Sequence, residues 1–218
     1  MQASRPRILI ADDHVLIAET LRLLLEKAYT VVGTVADGRT LLSAIRKVNP
    51  DLIVLDIGMP LLNGLDAGRR IREEFPKIRI VFLTMQEDAN LAAAALQLGP
   101  VGFVLKHTAA SELLKAIERV LQGFSYLTPK LKSEKWVMKQ RVRQFTNQLN
   151  PRQREVAQLW AEGHSIKEIA WQLHLSHKTV EFHKHQIMKT HNLKSNADLV
   201  LFALDQGLIV RNSREQLF

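Results

Sequence analysis

Over the first half of the chain, short apolar runs rich in β-branched residues alternate with stretches of helical spacing. The runs are RILIA, VVGTVA, DLIVLD, IRIVFLT and VGFVLK, each apolar on successive residues, as a strand buried on both faces must be. Between them, Leu16, Thr20, Leu23 and Leu24 fall on one helical face, as do Leu41, Ala44, Ile45 and Val48. Ser111 reads as the N-cap of a last helix carrying Leu114, Ile117 and Leu121. Apolar strands separated by helices predict a parallel sheet covered on both sides, so residues 1–123 are expected to form a doubly wound (βα)5 domain.

After Gly123 the alternation stops. Residues 124–148 gain positive charge and read as a linker, within which Leu131, Trp136, Val137 and Phe145 follow helical spacing. Residues 149–218 carry no strand pattern, and four helices are expected at about 151–162, 165–173, 177–190 and 195–206. Pro151 opens the first, and Ser165 and Ser195 are N-caps. The second and third stand close enough to make a helix-turn-helix, with Ile166, Ile169, Ala170 and Leu173 on one inner face and Val180, Ile187 and Met188 on the other. The outer face of the third helix is then Lys178, Glu181, Phe182, Lys184, His185 and Lys189.

Composition narrows the function classes. The 218 residues are 46% hydrophobic and 24% charged, which is globular. With no cysteine, disulfides and thiolate zinc sites are excluded. The N-terminal apolar run is too short for a signal peptide and no long apolar stretch occurs, so a cytoplasmic protein without a membrane partner is expected. The net charge of +8 is uneven: residues 1–123 hold 15 Lys and Arg against 14 Asp and Glu, and residues 124–218 hold 15 against 8. A basic excess in one domain suits a polyanion, with an acidic protein as the alternative.

In a parallel sheet, ligand sites gather at the carboxyl ends of the strands. Asp12 and Asp13 follow the first strand, Asp56 ends the third, Thr84 follows the fourth and Lys106 the fifth. Crowded carboxylates repel unless a cation neutralises them, and an all-oxygen set suits Mg²⁺. A carboxylate nucleophile, a neutralising cation and a hydroxyl are the parts phosphoryl transfer needs. Each residue alone has a plainer reading, as a helix cap or a solvated loop charge. The combination is not explained by those needs. A Mg²⁺-dependent phosphohydrolase is the alternative from another class; against it, Gly58 stands two residues beyond Asp56, where a second acid would serve as general acid/base.

The motifs ILIADDH, IVLDIGMPLLNGLD, IVFLTMQED and VGFVLKH resemble the flavodoxin-like receiver domain of two-component response regulators over residues 7–122. That resemblance implies phosphorylation of Asp56 by a sensor histidine kinase, and Mg²⁺ held by Asp12, Asp13, Asp56 and the Gly58 carbonyl. It also implies that Lys106 pairs with the phosphoryl group while Thr84 moves toward it and Phe103 rotates inward. The segments KEIA, KTVEFH and KSNADLV resemble the four-helix LuxR-type helix-turn-helix domain, and the whole order resembles the NarL/FixJ subfamily of response regulators. By that likeness the third helix enters the major groove of double-stranded DNA, with Glu181, Phe182 and His185 facing bases and Lys178, Thr179, Lys184 and Lys189 near phosphates. Phosphorylation is then expected to drive homodimerisation or domain release; RNA polymerase is a further candidate partner. A receiver that dimerises without answering to phosphate is the remaining alternative.

Overall fold

The computed structural model describes residues 5–132 and 149–209. The chain divides into two compact units, residues 1–146 and 147–218.

The first unit alternates strand and helix: β1 (Arg7–Ala11), α1 (Val15–Leu25), β2 (Thr30–Val35), α2 (Gly38–Val48), β3 (Leu52–Asp56), α3 (Gly64–Glu74), β4 (Arg79–Thr84), α4 (Ala89–Leu96), β5 (Val101–Leu105), α5 (Ala109–Leu121) and β6 (Tyr126–Leu127). All pairings are parallel, in the order β2-β1-β3-β4-β5-β6. Strand periodicity divides the core in two. Leu9, Ile53, Leu55, Phe82 and Phe103 point to the side covered by Leu41 and Ile45 of α2, Ile71 of α3 and Leu91 of α4. Ile8, Ile10, Leu52, Val54, Val81 and Val104 point to the side covered by α1 and α5. Each such side chain stabilises the fold by about 1.5–3 kcal/mol through burial.

Three expectations need correction. In α1 it is Ala18, Leu21 and Leu25 that are buried, whereas Leu16 and Leu23 are 83% and 62% exposed and Thr20 is exposed. The segment VLIAETLRLLL carries apolar residues on both sides, and the stripe of Ala18, Leu21 and Leu25 is the one free of Glu19, Thr20 and Arg22. Ser111 is not the N-cap of α5: the 3-10 turn Lys106–Thr108 runs directly into the helix at Ala109, and the Ser111 hydroxyl donates to the Thr108 carbonyl at 3.0 Å inside the first turn.

The third correction concerns residues 124–132, read as linker. They add β6, which pairs with β5 through Phe103 and Leu127, and a 3-10 turn, Pro129–Leu131, whose Leu131 is buried in the core. The two-residue strand is too short to announce itself by alternation. The expected helix around Trp136, Val137 and Phe145 lies outside the described residues.

Thr128 fastens this added segment. Its amide donates to the Phe103 carbonyl at 3.0 Å, its hydroxyl donates to Glu112 at 2.8 Å and accepts from the Leu105 amide at 3.2 Å. Thr128→Val keeps the shape and deletes the hydroxyl at a fully buried position, and is expected to destabilise the first unit by about 1–3 kcal/mol, read as a lower urea midpoint with unchanged slope.

The second unit has four helices: α6 (Pro151–Ala161), α7 (Ile166–Leu173), α8 (His177–Thr190) and α9 (Asn196–Asp205). Capping boxes start α6 with Asn150 and Gln153, α7 with Ser165 and Glu168, and α9 with Ser195 and Asp198. Such caps are worth about 0.5–2 kcal/mol each. The core gathers Leu149, Ala157, Ile187, Leu199, Ala203 and Leu208, with Trp160, Met188 and Phe202 against it.

Candidate functional site

The order of the strands reverses between β1 and β3, and the carboxyl ends of these two strands hold the acidic residues. Asp12 follows β1 and its amide donates to the Val35 carbonyl at 3.0 Å, which extends the sheet pairing by one residue. Asp56 is the last residue of β3, and the Ile57 amide after it is fixed to the Leu83 carbonyl at 2.9 Å. The chain then loops through Pro60, Leu61 and Leu62. The Leu62 amide donates to the Pro60 carbonyl at 2.8 Å, and Leu61 takes a left-handed φ of 66°, a tight, strained turn of the kind that clusters at functional sites. Gly64 returns the chain, its amide donating to the Ile57 carbonyl at 2.9 Å.

Lys106 crosses to this cluster from the end of β5. Its Nζ lies 2.8 Å from Asp12 Oδ2 and 3.0 Å from Asp56 Oδ2, and its side chain is only 3% exposed. It is therefore a buried ion partner rather than a solvated loop charge. Asp56 is also buried, and burial outweighs the Lys106 contact to push its carboxyl from the ordinary 3.8 up to about 6; the nearby Asp12 charge raises it further, while Lys106 and a hydrogen bond from the Gly58 amide pull it down. Buried Asp12 Oδ2 and Asp13 Oδ1 accept no well-aligned hydrogen bond among the described residues.

His14 joins the site, which sequence reasoning missed. Single oxygen or nitrogen atoms of Asp12, Asp13, His14 and Asp56 lie within 4.8 Å of one another, and His14 Nδ1 is 2.9 Å from Asp13 Oδ1. The signal was present in the ADDH sequence at the strand end, but only the fold of the β1–α1 turn brings the ring back over the carboxylates, helped by the His14 amide donating to Asp12 Oδ1 at 2.9 Å.

Thr84 is buried at the end of β4, where its hydroxyl accepts from the Gln86 amide at 3.0 Å. Phe103 is fully buried in the core beside Phe82. The inward position expected of Phe103 after phosphorylation is thus the one this structure has already. The reason is steric: β6 lies alongside β5 and α4 packs on the same side, so the ring fills the core.

In the second unit, α7 ends at His174 in the left-handed conformation (φ 53°), and the Leu175 amide closes back on the Ala170 carbonyl at 2.9 Å. Ser176 then caps α8 by accepting from the Thr179 amide at 3.0 Å. A three-residue turn between two packed helices is helix-turn-helix geometry. Lys178, Glu181, Phe182, His185 and Lys189 share the exposed face of α8, and Thr179 sits half-buried at its N-terminus. Lys184 departs from the expected outer face. Its Nζ lies 3.5 Å from the centre of the Trp160 ring of α6, half-buried, with burial lowering its pKa. The four-carbon stem is long enough to carry the ammonium round to an aromatic face, so spacing alone misassigns it. At the far end of α8, Asn192 supplies the left-handed residue (φ 53°) that ends the helix, and the Leu193 amide reaches the Met188 carbonyl at 2.8 Å.

A buried Asp–Lys–Asp cluster at the switch point of a flavodoxin-like sheet, followed in the same chain by a helix-turn-helix, defines a receiver-type signalling protein with a nucleic-acid-binding module. Comparison with known proteins agrees. Residues 8–118 match the response regulator receiver domain, and residues 147–203 match the bacterial regulatory proteins of the luxR family. A putative transcriptional regulator of Pseudomonas aeruginosa is 38% identical over 93% of this chain and 99% of its own, and the oxygen regulatory protein NreC of Staphylococcus carnosus is 34% identical over 93% and 99%. RcsB of Salmonella enterica serovar Typhimurium, bound to promoter rprA with the phosphomimetic BeF3-, has a TM-score of 0.63 at 28% identity over 92% of this chain and 98% of that one. The chain belongs to the response regulators of the NarL/FixJ type, transcription factors that join a receiver to a LuxR-type DNA-binding domain, and not to an enzyme family.

Proposed function

We propose that Asp56 is the phosphoacceptor of a two-component phosphorelay, receiving its phosphoryl group from the phosphohistidine of a sensor histidine kinase, and that this modification controls promoter binding by α8. The observation that carries this reading is the Asp56 carboxylate held 3.0 Å from the buried Lys106 ammonium at the end of β3. An Asp56 oxygen attacks phosphorus in line, the phosphorus–nitrogen bond to the imidazole breaks, and Lys106 pairs with the phosphoryl oxygens. The carboxylate oxygens of Asp12, Asp13 and Asp56, clustered within 4.8 Å of one another, form a hard-oxygen donor set that fits Mg²⁺, which Asp12, Asp13, Asp56 and the Gly58 carbonyl would hold. Mg²⁺ bound there supplies charge neutralisation for the incoming phosphoryl group.

Thr84 then moves toward the phosphoryl oxygens, drawing the β4–α4 loop with it. Glu87 in that loop is bound to Lys130 at 2.5 Å, and Lys130 belongs to the segment that follows β6 on its way to the second unit. The signal therefore has a hydrogen-bonded and an ionic route out of the receiver, through Phe103 and Thr128 and through Glu87 and Lys130. The result is a change in homodimerisation and in DNA affinity, with RNA polymerase as the downstream partner. No described helix is long and apolar enough to cross a membrane, and action in the cytoplasm suits a protein that meets both kinase and promoter.

On the DNA, Lys178, Thr179 and Lys189 meet phosphates while Glu181, Phe182 and His185 face base edges; Lys184 instead anchors α8 to Trp160. Gel shifts with beryllofluoride and Mg²⁺ test the switch: tighter binding is expected, and equal affinity with and without the analogue would favour a phosphate-insensitive receiver. Lys178→Ala is expected to weaken binding to all sequences alike and to reduce the salt slope by about one, whereas His185→Ala shifts preference at one base position.

A further inference from the structure

We infer that Glu181 makes this protein a reader of cytosine in the major groove. The inference rests on the reading of α8 as the recognition helix and adds the base class that the helix selects. Glu181 is the one acidic residue among the fourteen of α8, which carry Lys178, Lys184 and Lys189 and three histidines. It is exposed, and its carboxylate forms no hydrogen bond or ion pair with any described residue. Nor does it serve the helix N-terminus. Ser176 is the cap and Thr179 occupies the third helical position, so Glu181 lies past the first turn, where a carboxylate gains little from the dipole. Lys184, the cation whose charge it feels, has its ammonium directed over Trp160.

A carboxylate on a basic face opposes approach to any phosphate backbone, so it lowers affinity for every site that does not give it a hydrogen-bond donor. It is an acceptor only. On the major-groove edge, guanine offers N7 and O6 and thymine offers O4, all acceptors that repel it; the amino donors are cytosine N4 and adenine N6. Adenine N6 stands between two acceptors, its own N7 and the paired thymine O4, whereas cytosine N4 has a C5–H on one side and only the paired guanine O6 on the other, which leaves cytosine as the base that satisfies Glu181 with the least repulsion. Phe182 next to it, 57% exposed, adds apolar surface suited to a pyrimidine C5 edge. The acid therefore acts by rejection as much as by attraction, which is how specificity is obtained when charge alone favours any sequence.

The test is selection from a randomised duplex pool with full-length protein, wild type and Glu181→Ala side by side, at fixed salt. Wild-type sites are expected to carry cytosine at one position per half-site, with other bases there binding roughly 5- to 150-fold more weakly. Glu181→Ala should leave that position unselected, keep the rest of the site, and bind non-specific duplex more tightly than wild type. Identical site preferences for the two proteins, or guanine or thymine at the position that depends on Glu181, would overturn the inference. A wild-type protein that enriches no sequence would instead overturn the assignment of α8 as the recognition helix.

Discussion

Asp56→Asn is expected to abolish incorporation of phosphate from acetyl phosphate in Mg²⁺ while leaving the receiver folded, and in the metal-free protein to raise its stability at neutral pH. The first half follows from chemistry, because an amide oxygen is not a nucleophile toward phosphorus. The second follows from electrostatics. Asp56 titrates at about 6 against an ordinary 3.8, chiefly because it is buried. As pH falls, the folded state takes up this proton before the unfolded state does, so stability gained from Asp56 rises between pH 6 and pH 4 and is lost as pH climbs through 6. At pH 7 the ionised group works against folding by on the order of 1–3 kcal/mol, and the neutral amide removes that cost. Lys106 retains Asp12 at 2.8 Å as its partner in the variant. Melting curves at pH 7 and pH 4 should show the variant ahead at the higher pH and the gap closing at the lower. Persistent labelling of the variant would refute Asp56 as the acceptor.

Gly64→Ala is expected to be among the most damaging single-methyl additions to the first unit. A Cβ on Gly64 would stand 2.1 Å from the Asp56 carbonyl oxygen and 2.8 Å from the Ile57 Cα. Both are backbone atoms of β3 and the turn that follows, so no rotamer change relieves the overlap. α3 must retreat from the sheet, at a cost of about 3–5 kcal/mol, and the loop that carries Gly58 past Asp56 is displaced with it. The measured outcome is a large drop in the urea midpoint together with loss of acetyl phosphate labelling. Gly33→Ala is the control: its Cβ meets only Leu9 Cδ1, at 3.4 Å, and its midpoint should shift far less. Comparable losses for the two would mean that the backbone near Gly64 yields easily.

These two residues were unequally legible. Asp56 stood out in the sequence because a parallel sheet sends every strand's carboxyl end to one edge, so a polar residue closing an apolar run reports its own position in three dimensions. The same logic marked Asp12, Asp13, Thr84 and Lys106. Gly64 carried no such mark, because its importance is the distance between a helix start and a strand end, and a sequence does not display distance.

What the sequence determined alone are the features set by local chemistry: strand and helix alternation, the strand-end carboxylates, and the serine caps at Ser165 and Ser195, whose side chains bond amides three residues away. Tertiary structure decided the rest. Contact with the sheet buried Ala18, Leu21 and Leu25 and left Leu16 and Leu23 exposed, because apolar residues stand on both sides of α1 and only one side meets the sheet. Pairing with β5 made a strand of Tyr126 and Leu127, since a two-residue strand exists only through its partner. The ring of Trp160 drew Lys184 off the α8 outer face, because a long flexible side chain goes where the nearest favourable surface lies.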